Sequence, residues 1–140
     1  MTTSIIGLLD SDELATTLAN STGWHKIPLN LHRFPDGEWR IRLLDKPQKN
    51  VALVCSLDHP NDKIVALILV CGLLRDMGVE HITLVTPYLA YMRQDVAFNP
   101  GEGVSARYFA NLLSAHVDRL VTIDPHLHRI AELEEVYTIP

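Results

Sequence analysis

The stretch 51-VALVCSLDHPNDKIVALILVCGLLRDMGVEHITLVT-86 decides the fold. It opens and closes on short, nearly continuous apolar runs, 51-VALVCS-56 and 81-HITLVT-86, the pattern of parallel strands buried on both faces. Between them a helix is predicted from near Asn61, a residue type that caps free N–H groups, to a stop at Gly78. Two further runs outside this unit, 4-SIIGLL-9 and 119-RLVTI-123, read as strands of the same kind, and helices are predicted to start near Ser11 and Ser105, with Gly23 ending the first. Strands alternating with helices in this way predict an α/β fold, a mostly parallel sheet with helices on both faces.

One segment breaks the rhythm. The arms 26-KIPLNLHR-33 and 39-WRIRLL-44 flank 34-FPDGE-38, and Trp39, Ile41 and Leu43 alternate with Glu38, Arg40 and Arg42. Pro sets φ for a turn and Gly accepts a positive φ, so this segment predicts a projecting β-hairpin or flap. The predicted helix over 61–77 is apolar almost all round, from Ile64 to Met77. Such a helix is buried on more than one side. One side packs on the sheet and the other is expected against a partner subunit, each exposed apolar side chain covered there contributing about 1.5–3 kcal/mol before association costs. A homo-oligomer is therefore expected.

With 140 residues, 47% hydrophobic and 21% charged, the chain is expected to form a single globular domain rather than a disordered or fibrous one. A net charge of −5 offers no electrostatic footprint for nucleic acid or an anionic membrane. The longest apolar segment, 64–74, falls short of the roughly 20 residues that cross a bilayer. The start, MTTSIIGLLDSDE, lacks a basic region and is interrupted by Asp10 and Asp12, so no signal peptide and a cytoplasmic location are expected. Cys55 and Cys71 fall in apolar patterns and read as reduced core thiols.

Ligands of open parallel sheets bind beyond the carboxyl ends of the strands. Three polar segments leave those ends: 56-SLDHPND-62, residues 87–104 and 124-DPHLHR-129. Arg93 and Gln94 offer donors to anionic oxygens, while Asp124 and His126 are suited to hold or orient a hydrated cation. On an extended segment, which Pro125 favours for Asp124, the side chains of Asp124, His126 and His128 share a face. That spacing is consistent with a metal site or with a looser magnesium–nucleotide contact, and equally the FPDGE turn is consistent with an ordinary hairpin cap. No G-x-x-x-x-G-K-[ST] or G-x-G-x-x-G phosphate loop is present, which disfavours an ATP site of the common loop type.

The succession 33-RFPDGE-38, 87-PYLAYMRQD-95, 101-GEGVSARYFANLL-113 and 118-DRLVTIDPH-126 resembles the N-terminal half of ribose-phosphate pyrophosphokinases, the phosphoribosyl pyrophosphate synthetases. It resembles a divergent branch, since 96-VAFNPGEG-103 has none of the basic residues usual after Arg-Gln-Asp and 127-LHRIAELEEVY-137 departs from the usual continuation. The resemblance implies a phosphoribosyltransferase-like fold with a flap from one subunit contacting the adenine of ATP held by its neighbour. It assigns ATP binding to Phe34, Asp36, Gly37 and Glu38 of the flap and to Arg93, Gln94 and Asp95 of the loop. It places His126, with Asp124 beside it, at the magnesium–triphosphate site.

The implied reaction moves the β,γ-diphosphoryl group of ATP to the 1-hydroxyl of ribose 5-phosphate. The products are 5-phosphoribosyl 1-pyrophosphate, for nucleotide biosynthesis, and AMP, with Mg2+ as the cofactor. The resemblance makes residues 1–140 the N-terminal domain, with ribose 5-phosphate bound mainly by a second, C-terminal domain absent from this chain. No catalytic residue is assigned in this half, which is expected to be inactive alone. The alternatives are a catalytically silent regulatory or scaffolding homologue, and a metal-dependent hydrolase built on Asp124, His126 and His128.

Overall fold

The computed structural model describes residues 2–140. Strands β1 (Thr3–Gly7), β2 (His25–Lys26), β5 (Asn50–Val54), β6 (His81–Thr86) and β7 (Arg119–Thr122) form one parallel sheet in the order β2-β1-β5-β6-β7. Strands β3 (Leu29–Arg33) and β4 (Trp39–Leu43) form a separate antiparallel hairpin. Helices α1 (Asp12–Thr22), α2 (Ile64–Asp76) and α3 (Ser105–Ser114) complete the fold.

The alternation along each strand sends successive side chains to opposite faces. Ile6, Val51, Leu53, Ile82 and Leu84 join α2 and α3 in the larger core, whereas Ile5, Ala52 and Val54 pack with Ala15 of α1 in the smaller one. Helices therefore cover both faces, as the sequence predicts. Gly7 allows α1 its close approach: a Cβ there would lie 2.5 Å from the Cα of Asp12. The sheet ends differ from expectation at two places. The arm predicted over 26–33 splits at Pro28. His25 and Lys26 pair with β1 in the main sheet, and only Leu29 onward pairs with β4. A proline has no N–H to continue the first ladder, so the chain changes sheets there. The helix expected from Asn61 begins instead at Ile64, after a short 3-10 turn over Pro60–Asp62.

Helix α2 buries Ala66, Leu67, Val70, Cys71 and Leu74, and presents Val65 and Leu69 beneath the hairpin. Both cysteines are buried and free. Desolvation pushes each thiol up to about 12, so neither is an effective nucleophile near neutral pH. Among the described residues no helix is long and apolar enough to cross a membrane.

Candidate functional site

The carboxyl ends of β5 and β6 open into a cleft of about 720 Å³, walled by Asp58, His59 and Asn61 on one side and by Tyr91, Arg93 and Gln94 on the other. The long segment between β6 and α3 forms the second wall because it is anchored rather than free. Leu89, Ala90 and Met92 are buried in the core, which turns Tyr88, Tyr91 and Arg93 outward. The Thr86 hydroxyl donates to the Tyr88 carbonyl at 2.7 Å, the same carbonyl accepts from Leu57 N–H at 3.0 Å, and Tyr91 donates through its hydroxyl to Asn61 Oδ1. Ala106 N–H at the start of α3 donates to the Gln94 carbonyl, and the Gln94 amide donates to the Val96 carbonyl at 2.8 Å.

A second cleft of about 440 Å³ lies at the end of β7, with Asp124, His126 and His128 along its wall. Tyr88 and Arg93 belong to both clefts. Arg93 thus stands between the segment after β6 and the segment after β7. The extended conformation expected for Asp124 is not adopted, since its φ is 45°. His126 and His128 nevertheless lie side by side, their rings stacked with centroids 5.5 Å apart. Among the described residues no three His, Cys, Asp or Glu side chains gather to hold a metal ion, so these residues do not form a zinc-type centre.

Asp95 is placed differently from its neighbours. Its carboxylate accepts from the Arg129 guanidinium at 2.8 Å and from Arg129 N–H at 3.3 Å, and the same guanidinium lies 4.7 Å from the Phe98 ring. Desolvation opposes the charged form of Asp95, but the hydrogen bond and charge of Arg129 outweigh it and hold the carboxyl below its ordinary range. Asp95 therefore fastens the two segments together behind Arg93.

The flap is close to the larger cleft without entering it. Gly37, at φ 94°, and the Asp36 carboxylate, which accepts from Glu38 N–H at 3.0 Å, close the turn. Asp36, Gly37 and Glu38 face a third cleft, about 560 Å³, over Val65 and Leu69 of α2, while Phe34 is exposed. Asn61 alone is common to this cleft and the larger one. The structure therefore gathers Arg93, Gln94, Asp124 and His126 around adjoining clefts, leaves Asp36, Gly37 and Glu38 at a separate one, and leaves Phe34 exposed at the base of the flap turn.

Sequence reasoning missed Lys63 and Arg129. Lys63 is a charge abutting a long apolar run, a signal that a buried ion pair was needed. Arg129 meets a partner 34 residues away in sequence, which no local pattern marks.

Residues 3–116 match the family model described as the N-terminal domain of ribose phosphate pyrophosphokinase. The chain is 35% identical over 123 residues to the ribose-phosphate pyrophosphokinase of Methanopyrus kandleri, covering 87% of this chain and 42% of that protein. It is 34% identical over 134 residues to the one from Methanothermobacter thermautotrophicus, covering 94% of this chain and 47% of that protein. The chain thus spans less than half the length of these relatives. The crystal structure of phosphoribosylpyrophosphate synthetase from Mycobacterium smegmatis superposes with a TM-score of 0.88 at 22% identity, over 100% of this chain and 47% of that one, a likeness of fold. By the family match and by these relatives together, the chain belongs to the ribose-phosphate pyrophosphokinase family.

Proposed function

We propose that this chain is the ATP-binding, N-terminal half of a transferase that moves diphosphate from ATP to ribose 5-phosphate, in a cytoplasmic homo-oligomer serving nucleotide biosynthesis. The observation that carries the reading is the position of Arg93 in the wall common to both clefts. A ligand spanning them would set its base and ribose beside Tyr91 and Gln94 and its phosphates between Arg93 and His126. A guanidinium offers such phosphates planar, charge-assisted donors. The flap residues Phe34, Asp36, Gly37 and Glu38 serve the site of a neighbouring copy, which accords with the separate cleft of Asp36, Gly37 and Glu38 and with the exposure of Phe34. Val65 and Leu69 offer apolar surface to that oligomer.

The donor set suits a magnesium ion carried on the nucleotide rather than one caged by protein. Asp124, a hard oxygen donor, and His126 would hold the hydrated ion, with phosphate oxygens and water as the remaining ligands. When bound, magnesium neutralises charge on the transferring phosphates. In the reaction the 1-hydroxyl oxygen of ribose 5-phosphate gives up its proton to solvent and bonds to the β-phosphorus, the bond from that phosphorus to the α,β-bridging oxygen breaks, and AMP leaves with that oxygen. Arg93 stabilises the charge developing on the phosphates, and Asp95, through Arg129, holds the two segments in register. Ribose 5-phosphate binding falls to a second domain outside this chain.

Calorimetric titration of the chain with magnesium and ATP tests the reading. Saturable binding is expected, weakened about tenfold or more by Arg93→Ala, as the loss of a hydrogen bond to a charged group implies. Equal affinity in parent and variant, or no binding by the parent, would overturn it.

A further inference from the structure

Beneath the larger cleft lies a buried cation that the proposed function does not use. The Lys63 side chain is 8% exposed, and its ammonium donates to Asp10 Oδ2 at 3.1 Å, to the Ser56 carbonyl at 2.9 Å and to Asp58 Oδ1 at 2.9 Å. An ammonium has three donors, so all are used. Asp10 belongs to the turn after β1, and Ser56 and Asp58 to the segment after β5. A second bond joins the same two segments, from Ser56 N–H to the Ser11 hydroxyl at 2.9 Å.

Charge gives this arrangement a meaning beyond packing. The walls of the larger cleft carry two carboxylates, Asp58 and Glu102, against the one guanidinium of Arg93. A nucleotide whose base and ribose lie there and whose phosphates reach past Arg93 would meet repulsion from Asp58 across the cleft unless that charge were answered nearby. Lys63 answers it from below, and its hydrogen bond draws the Asp58 carboxyl under its ordinary range. Burial opposes the charge on Lys63, but the bonds to Asp58 and Asp10 outweigh it and keep the lysine protonated.

We propose that Lys63 is a charge-compensating positioning residue that fixes the Asp58 carboxylate in the wall of the larger cleft and offsets its charge, and thereby lets the site accept a nucleoside polyphosphate in preference to the bare nucleoside. The inference rests on the reading of that cleft as a nucleotide site. With Lys63 in place, Asp10, Asp58 and Lys63 together carry one net negative charge; without it they carry two. One unit charge acting across the cleft on the several negative charges of a polyphosphate, at an effective dielectric between those of protein and water, weakens binding by about tenfold.

The experiment compares magnesium–ATP and adenosine binding to the parent chain, Lys63→Met, and Lys63→Met combined with Asp58→Asn, at low and high salt, with adenosine followed by NMR titration. Methionine keeps the aliphatic stem and removes the charge. The double variant restores the parent's net charge without the clamp, so it separates charge from folding. Expected are a loss of about tenfold for ATP in Lys63→Met, less than twofold for adenosine, a smaller ATP loss at high salt, and recovery of most ATP affinity in the double variant. Equal losses for both ligands, an ATP loss that salt does not reduce, or no recovery would overturn the role of Lys63 while leaving the nucleotide reading intact. Failure of the parent to bind ATP would overturn both.

Discussion

Before the amino ends of β2 and β6, left-handed backbone falls to glycine; just past the carboxyl ends of β1, β5, β6 and β7 the first left-handed residue bears a side chain, and glycine takes that conformation only further along, at Gly101. Gly23, at φ 75°, leads into β2, and Gly78, at φ 87°, into β6. The first left-handed residue after β1 is Leu9 (φ 55°), after β5 His59 (φ 51°), after β6 Tyr91 (φ 61°) and after β7 Asp124 (φ 45°). Each such residue costs about 1–2 kcal/mol that glycine would not. Where the chain only needs to reverse, it takes the cheaper residue. Where it must present a side chain, it accepts strain: His59 and Tyr91 wall the larger cleft, Asp124 walls the smaller, and Leu9 packs against the core. Strain concentrated at one edge of a sheet marks that edge as the working one.

Gly7 gives the largest expected effect and sharpens the contrast, because it lies at the carboxyl end of β1 for space rather than for φ. Gly7→Ala would bring a methyl within 2.5 Å of the Asp12 backbone and 2.9 Å of the Ala15 side chain, so α1 must shift off the sheet. Urea unfolding should show a loss of about 1–3 kcal/mol, as overpacking does. A loss under about 0.5 kcal/mol would show that α1 moves freely and that this edge is softer than the contacts imply.

A pair of opposite substitutions tests the contrast itself. A Cβ on Gly78 meets nothing within 4 Å, so Gly78→Ala pays for conformation alone and should cost about 1 kcal/mol. His59→Gly should do the reverse, raising stability by a few tenths to about 1 kcal/mol as left-handed strain is relieved and glycine's added chain entropy takes part of it back. The same variant should bind magnesium–ATP more weakly than the parent. Stabilisation without loss of binding would mean that the strain at His59 serves no ligand.

Much of this architecture was legible in the sequence, for physical reasons that also mark where legibility stops. Runs such as 51–56 and 81–86 are apolar on both faces because both faces are covered, so strand and environment are read together. The hairpin is visible in the alternation of Trp39, Ile41 and Leu43, whereas the change of sheet at Pro28 is carried only by a missing N–H that cannot extend the ladder on β1. Arg93 and Gln94 stand out in the sequence as donors in a polar segment, and burial of Leu89, Ala90 and Met92 is what turns that segment outward. The left-handed conformations of Leu9, His59 and Tyr91 had no signature, since tertiary anchoring imposes them against local preference. Lys63 with Asp10, and Arg129 with Asp95, are long-range pairings that emerge only when strand ends are brought together.

The two edges are also fastened by different ion pairs, and the weaker fastening gives the smallest expected effect. At the amino edge Asp118 accepts from Ile82 N–H at 2.7 Å and from the Arg75 guanidinium at 2.7 Å, which ties β6, the turn before β7 and the last turn of α2. Partial burial works against its charge, while the bonds from Ile82 and Arg75 outweigh that and lower its carboxyl from the ordinary 3.8. A depressed carboxyl contributes stability that is present above the unfolded value and is lost as pH falls through the folded one. Asp118→Asn should therefore be less stable than the parent at neutral pH, by no more than about 1 kcal/mol because the side chain is well exposed to solvent screening. That difference should stay level down to about pH 4 and shrink below 3.8. Paired acid and urea titrations of the two proteins measure it directly. A difference that persists unchanged at the lowest pH would mean that the shape of the Asp118 contact, rather than its charge, holds the amino edge, and the two edges would then differ in kind as well as in strength.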